Sequence, residues 1–255
     1  MGVYADLKDS RVMITGAASG IGLSTALRFV EEGAQVFLVD RDEAALGRAL
    51  DRYAEIKGGA SADVSDQAAV QSAFRKMDDL LGGIDTLISN AGVSYRSPFL
   101  DLSYSQWSKV MRINLDGTFF CAQEAIRRMK PHRNGVILFT ASTNGLEGHP
   151  LYADYNASKA GVVLLAKTLA LEFAPWLRVN AVCPGYVLTP MQKAEYTDEM
   201  LDRINADIPL NRHAFPEEVA ALFAFLASRE AAFITGQAVP IDGGETSGIY
   251  VKGLV

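Results

Sequence analysis

A short apolar run that breaks into closely spaced glycines and resumes as a helix leaves a chain few folds to choose from. Arg11-Val12-Met13-Ile14-Thr15 has the composition of a strand buried on both faces. It is followed by Gly16-Ala17-Ala18-Ser19-Gly20-Ile21-Gly22, and then by apolar residues at helical spacing: Ile21, Leu23, Ala26, Leu27, Phe29 and Val30. Strand, glycine turn and helix start together make an anion site, because the first amides of a helix point outward and its dipole favours negative charge. Small residues let a pyrophosphate approach the backbone, which makes Gly16, Ser19, Gly20 and Ile21 the candidate contacts. Glycines spaced this way also suit a plain tight turn, so the next strand matters. Ala34–Val39 ends at Asp40, eighteen residues after Gly22. A carboxylate there can accept both hydroxyls of an adenosine ribose and would repel a 2′-phosphate, so NAD is expected. Arg41 keeps NADP open, since a guanidinium can hold that phosphate. The loop itself (Ala17, Ala18, Ser19) carries no base.

A second pattern carries acid–base chemistry. Tyr155-Asn156-Ala157-Ser158-Lys159 puts a phenol and an ammonium one helical turn apart, with Ser142 thirteen residues upstream of Tyr155. An unperturbed tyrosine titrates near ~10, so only about one in a thousand is ionised at neutral pH. A cation within reach lowers that value, and the expectation is that Lys159 does so and makes Tyr155 a general base. Tyr-x-x-x-Lys alone is a common pattern on an exposed helix; it gains weight beside the nucleotide site.

These residues together resemble the short-chain dehydrogenase/reductase family. Thr15, Gly16, Gly20 and Gly22 match its glycine pattern, and Asp63-Val64, Asn90-Ala91-Gly92, Asn114, Ser142, Tyr155, Lys159, Pro184-Gly185 and Thr189 match its later motifs in order. The resemblance runs from about Leu7 to Gly244 and departs at Ser89, where many members have asparagine, and in the tail from Glu245 to Val255. It implies that Asp63 and Val64 contact the adenine and that Asn90, Pro184, Gly185, Val187 and Thr189 border the cofactor with Tyr155 and Lys159. It also implies roles in catalysis. Tyr155 takes the hydroxyl proton, Lys159 holds the nicotinamide ribose, Ser142 fixes the reacting oxygen, and Asn114 holds a water that links Lys159 to solvent.

Strands alternate with helices throughout, which predicts one α/β domain over residues 1–255, a Rossmann-type doubly wound parallel sheet covered by helices on both faces. Further strands are expected at Gly59–Ala62, Thr86–Ser89, Gly135–Thr140, Arg178–Val182 and Ala238–Ile241. Helices are expected at Glu43–Arg52, Gln67–Leu80, Ser105–Met129, Ala153–Phe173 and Pro216–Leu226. No repeat, linker or low-complexity segment stands out. The net charge of −6 comes without a basic stripe, which argues against nucleic acid as a partner. Apolar runs are short and interrupted, as at Lys167, so no membrane span or secretory signal is expected. Asp6 stands where N-myristoylation after Gly2 needs Ser or Thr. Cys121 and Cys183 read as buried free thiols of a reducing, cytoplasmic compartment, and His132, His149 and His213 lack metal-ligand spacing. Ala160–Ala166 is apolar on every face of its helix, which asks for a second covering. The resemblance supplies one, a helix-mediated dimer within a homotetramer.

Substrate contacts are expected from the segments flanking the catalytic groups: Ser94–Arg96, Asn144–Tyr152 and Tyr186–Lys193. Their polar residues include Arg96, Asn144, Glu147, His149, Tyr152, Tyr186, Gln192 and Lys193. A lid over a steroid or acyl chain should be apolar, because a buried unpaired polar group costs ~2–7 kcal/mol. Oxidation of a sugar or polyol is the leading expectation, and Glu147 and His149 resemble positions near the active serine of sugar dehydrogenases. The alternatives are a small hydroxy or keto acid paired by Arg96 or Lys193, and a non-catalytic, nucleotide-dependent regulator. Polar side chains on these segments also suit a lid that simply faces solvent.

Overall fold

Seven parallel strands set the frame: β1 (Arg11–Thr15), β2 (Gln35–Asp40), β3 (Gly58–Ser61), β4 (Thr86–Ser89), β5 (Gly135–Thr140), β6 (Leu177–Pro184) and β7 (Ala238–Ile241). The structure, a computed structural model, describes residues 2–248; the segment Tyr250 to Val255 lies outside them. The sheet order is β3-β2-β1-β4-β5-β6-β7. The chain leaves the β1–β2–β3 half and restarts on the other side of β1, so the two halves diverge from a switch point between β1 and β4. Ligands of open parallel sheets bind outside the strand carboxyl ends at such a point.

The sheet has two buried faces because side chains alternate along each strand. Met13, Phe37, Ile137 and Phe139 pack into one layer with Phe74, Met77, Ala125 and Val162. Val12, Ile14, Leu38 and Leu138 pack into the other with Ala26, Phe29, Leu46 and Phe223. The first layer is covered by α3 (Gln67–Leu81), α5 (Gly117–Met129) and α6 (Ala153–Glu172), the second by α1 (Gly20–Glu31), α2 (Glu43–Arg52) and α9 (Pro216–Ala227). Several helices start where the sequence places a cap. Asp42 accepts from the Ala45 amide and Asp66 from those of Ala68 and Ala69.

Three expectations are corrected. The single helix over Ser105–Met129 is divided into α4 (Tyr104–Met111) and α5 by a π-turn at Arg112–Asp116. The extra residue in that turn brings Asn114 inward, and its side chain is fully buried. Two helices, α7 (Pro190–Glu195) and α8 (Asp198–Asp207), occupy a stretch for which none was expected. Each is short and starts from a threonine cap, Thr189 to the Gln192 amide and Thr197 to the Met200 amide. Finally, β6 is longer than its apolar core and runs to Pro184, which lengthens the floor beneath the active groups.

Phe139 lies mid-sheet on β5 and is completely buried. Phe139→Ala should lower the free energy of unfolding by about 3–5 kcal/mol, measured by urea denaturation.

Candidate active site

The glycine turn is held against the sheet by hydrogen bonds that also set the cofactor cleft. Gly16 and Gly20 adopt left-handed φ values of 62° and 54°. A Cβ on Gly22 would overlap the Gly16 carbonyl oxygen and lie 2.7 Å from Asn90 Nδ2. Asn90 is the brace. Its Nδ2 donates to the carbonyls of Thr15 and Gly16, both at 3.1 Å, and its Oδ1 accepts from Thr140 Oγ1 at 3.0 Å. Thr15 Oγ1 accepts from the amides of Asn90 and Ala91. At the end of β2, Asp40 Oδ2 accepts from the Ala18 amide at 2.9 Å and Oδ1 from the Asp42 amide at 3.0 Å. The carboxylate is thereby fixed between the turn and α2.

A cavity of about 270 Å³ opens at these strand ends. Its lining includes Gly16, Ser19, Gly20, Ile21, Asp40, Asp63, Val64, Asn90, Tyr155, Lys159 and Thr189, eleven of the fourteen cofactor candidates. Arg41 lines it too. Burial opposes ionisation of Asp63, but two hydrogen bonds from Ser65 and the charges of Arg41 and Arg112 outweigh it and hold the carboxyl below its usual value. Pro184, Gly185 and Val187 do not line this cleft. Gly185 faces the neighbouring cavity. Val187 is buried and pairs with Ala214 in an isolated bridge, so it supports the wall from behind.

The catalytic candidates converge where the two cavities meet, and Tyr155 lines both. Lys159 Nζ lies 5.6 Å from the centre of the Tyr155 ring and donates to the Thr140 carbonyl at 2.6 Å. Ser142 Oγ lies 3.3 Å from Asn144 Oδ1 and 3.4 Å from the Pro184 carbonyl oxygen. Asn114 spends both amide protons, on the Val93 carbonyl (2.9 Å) and Ser158 Oγ (3.1 Å), while its Oδ1 accepts from the Val93 amide (2.8 Å). The point where a Gly92 Cβ would sit is 3.3 Å from Asn114 Oδ1 and 3.5 Å from Lys159 Nζ. Those two groups therefore border one small space.

The expected electrostatic effect of Lys159 is not what the chain alone produces. Burial pushes the Tyr155 phenol up to about 12, against a hydrogen bond from Ser142 that works the other way. Burial likewise pushes the Lys159 ammonium down to about 8. Desolvation dominates both groups because the ammonium bonds a neutral carbonyl and has no anion at hand.

The second cavity, of about 80 Å³, is lined by Ser142, Asn144, His149, Tyr152, Tyr155 and Tyr186, together with Gln192, Glu195 and Tyr196 from α7 and its end. Glu147 and Arg96 do not line it. Both are exposed, and Arg96 stacks on the Tyr196 ring at 5.4 Å. Sequence reasoning missed Glu195 and Tyr196, because the flanking segment was ended at Lys193. The signal was helical spacing: on α7, Glu195 follows Gln192 by three residues and shares its face. Three residues of this cavity each carry a buried side-chain atom with no hydrogen-bond partner: His149 Nε2, Gln192 Nε2 and Glu195 Oε1. No cluster of His, Cys, Asp or Glu suited to a metal ion occurs among the described residues.

Residues 16–246 match the family described as enoyl-(acyl carrier protein) reductase. Meso-2,3-butanediol dehydrogenase of Serratia marcescens is 40% identical over 92% of this chain and 94% of its own. The 3beta-hydroxysteroid dehydrogenase 1 of Eggerthella lenta is 38% identical over 96% of both. Glucose 1-dehydrogenase of Gluconobacter oxydans is 36% identical over 92% of this chain and 91% of its own. A short-chain type dehydrogenase/reductase from Mycobacterium marinum superposes with a TM-score of 0.89 at 35% identity, covering 95% of this chain and 97% of that one. This chain belongs to the short-chain dehydrogenase/reductase family. It is an NAD(P)-dependent oxidoreductase acting on CH–OH groups. As a short-chain dehydrogenase/reductase it requires a nicotinamide cofactor, and the cleft fits one, since Gly16, Ser19 and Gly20 border it without a bulky side chain while Asp40 and Lys159 line the same space. No helix among the described residues is long and apolar enough to cross a membrane.

The buried ammonium gives a stability signature. A lysine with a folded value near 8 and an unfolded value near ~10.4 is bound by fewer protons in the folded state between those values. Its penalty is fully present below pH 8 and is relieved as pH rises towards ~10.4, by on the order of 3 kcal/mol. Cofactor-free protein should therefore gain stability over that window relative to Lys159→Met, measured by chemical denaturation at each pH.

Proposed function

We propose that this enzyme oxidises a small neutral polyol or sugar with NAD, and that Asn114, Ser142, Tyr155 and Lys159 carry the chemistry. One observation supports the substrate class above the others. The cavity beside Tyr155 is lined by three residues that each carry a buried polar atom without a partner, an incomplete hydrogen bond that a hydroxylated ligand would satisfy. An apolar ring system would leave all three unpaired. A hydroxy acid fits poorly too, because Arg96 stays outside the cavity and Lys193 does not line it, while the carboxylate of Glu195 does. The volume of about 80 Å³ suits a molecule of a few carbon atoms, since a cavity measured this way needs ~10–15 Å³ to hold one water.

The nicotinamide, when bound, supplies the hydride acceptor. Tyr155 Oη takes the hydroxyl proton of the substrate. Ser142 Oγ, already held near Asn144 and Pro184, donates to the same oxygen and fixes it. Lys159, held by the Thr140 carbonyl, keeps a positive charge beside the phenol and favours its ionised form once substrate is in place. Asn114 Oδ1 and Lys159 border the space from which the proton would leave. Asp40 and the base-free glycine turn favour NAD, with Arg41 as the group that would accommodate NADP.

The chain reads as one dinucleotide-binding and catalytic domain, with both cavities on one sheet. A homotetramer is also proposed. Leu164 and Leu171 on α6 and Phe119 on α5 are exposed in the single chain at 64%, 83% and 44%, so these helices offer apolar surface to a second copy.

Two measurements test this reading. NADH formation should be fastest with neutral diols or aldoses and weak with hydroxy acids, and Tyr155→Phe should reduce turnover by at least ~100-fold while NADH still binds by fluorescence titration. Retained activity in that variant would remove Tyr155 as the base. Asp40→Asn should shift the NAD-to-NADP ratio of kcat/KM towards NADP by at least about 10-fold, because it removes the charge that repels the 2′-phosphate.

A further inference from the structure

Among the described residues, Glu195 is the one carboxylate on the substrate cavity, and its two oxygens are treated differently. Oε2 lies 3.1 Å from Tyr152 Oη, which donates to it, and Tyr152 Oη lies 2.6 Å from Tyr196 Oη. Because Tyr152 spends its proton on Glu195, the short contact to Tyr196 must run the other way, with Tyr196 donating. The chain is thus directed: Tyr196 to Tyr152 to Glu195. Burial, with the same arrangement adding to it, pushes the Tyr152 phenol far above its usual value, so it stays a donor throughout the working pH range. Oε1, by contrast, is buried and has no partner. A carboxylate that lines the cavity, clamped through one oxygen and with the other buried and unpaired, has an acceptor left to fill.

The position of that acceptor is fixed by α7. Pro190 and Met191 line the cofactor cleft, while Met191, Gln192 and Glu195 line the substrate cavity. The helix therefore spans both, and Glu195 stands on the same small cavity as the Tyr155 phenol. The Tyr152 ring, which holds Glu195, packs edge-on against Tyr155 with centroids 6.3 Å apart. Among the described residues, no lysine or arginine lines this cavity.

We propose that Glu195 is a specificity-determining residue: its free Oε1 accepts a hydrogen bond from a second hydroxyl on the carbon next to the one oxidised, and its charge rejects substrates that carry a carboxylate there. Tyr152 is a positioning residue that acts through Glu195. The inference rests on the polyol reading above and sharpens it to a vicinal diol unit. Gln192 Nε2 and His149 Nε2 remain to bind the further oxygens of the same molecule.

The test compares kcat/KM for a short secondary alcohol, for the vicinal diol of the same carbon chain, and for the matching hydroxy acid. Wild-type enzyme and Glu195→Gln are measured side by side, with NADH affinity as a check that the fold and cofactor cleft are intact. The substitution keeps the size of the side chain and removes its charge. The diol-to-alcohol preference should fall by about 10- to 100-fold, the range for one hydrogen bond to a charged group, and the hydroxy acid should gain relative to the diol. Tyr152→Phe should lower the same preference by a smaller factor. A wild-type preference for the diol that survives unchanged in Glu195→Gln overturns the inference and leaves the polyol reading standing. Equal losses on alcohol and diol also overturn it, since they would mark Glu195 as structural. A wild-type enzyme without a diol preference removes the polyol reading itself, and the role of Glu195 with it.

Discussion

The amide of Asn90 is the joint on which this active site depends. It ties the carbonyls of Thr15 and Gly16, at the end of β1, to the hydroxyl of Thr140, at the end of β5. Thr140 in turn receives the Lys159 ammonium through its carbonyl. The glycine turn and the helix that carries Tyr155 and Lys159 come from distant parts of the chain, yet they are coupled through two side chains and one strand end. These groups sit at the edge of the buried sheet, where an unmade hydrogen bond is costly. That cost holds the geometry in one arrangement before any ligand arrives.

The site carries two kinds of stored demand. One is electrostatic. Tyr155 and Lys159 are both shifted towards their neutral forms by burial, so the chain by itself does not hold an ion pair in readiness. Their usefulness lies in being desolvated together, where any charge that develops near one strongly affects the other. The second demand is hydrogen bonding. His149, Gln192 and Glu195 come from two separate segments and meet with unpartnered atoms on one small cavity. Elsewhere in the chain buried carboxylates are well matched, as where Glu124 accepts from both Arg127 and Arg128. The mismatch is concentrated at the substrate cavity and at its borders, where Glu245 leaves Oε2 unpartnered beside Gly185. Burial and nearby acidic groups push that carboxyl up to about 7.

Much of the fold was legible in the sequence because parallel sheets have a plain signature. The strands Gly135–Thr140, Thr86–Ser89 and Ala238–Ile241 were read with their true limits, since each is an apolar run bounded by turns. The long helix reads as continuous in the sequence, because the π-turn at Arg112–Asp116 adds a single residue and contains neither glycine nor proline. The helices over 190–207 were missed because they are short, polar and held by caps instead of by a core face. The glycine turn was legible for a local reason: a glycine that must let backbone approach backbone, as Gly22 does, is visible as a glycine.

What the sequence determined by itself was the alternation of strands and helices, the glycine turn with its carboxylate at Asp40, and the Ser–Tyr–Lys set with one helical turn between phenol and ammonium. All of these are set by spacing over a few residues or by side-chain chemistry. What the tertiary structure decided was which polar residues of the flanking segments face inward. Arg96 and Glu147 point to solvent, whereas Glu195 and Tyr196, unremarkable in sequence, close the cavity. It also decided the sign of the Tyr155 and Lys159 shifts. Both outcomes depend on burial, which is a sum over neighbours brought in from remote parts of the chain, and no local spacing records that sum.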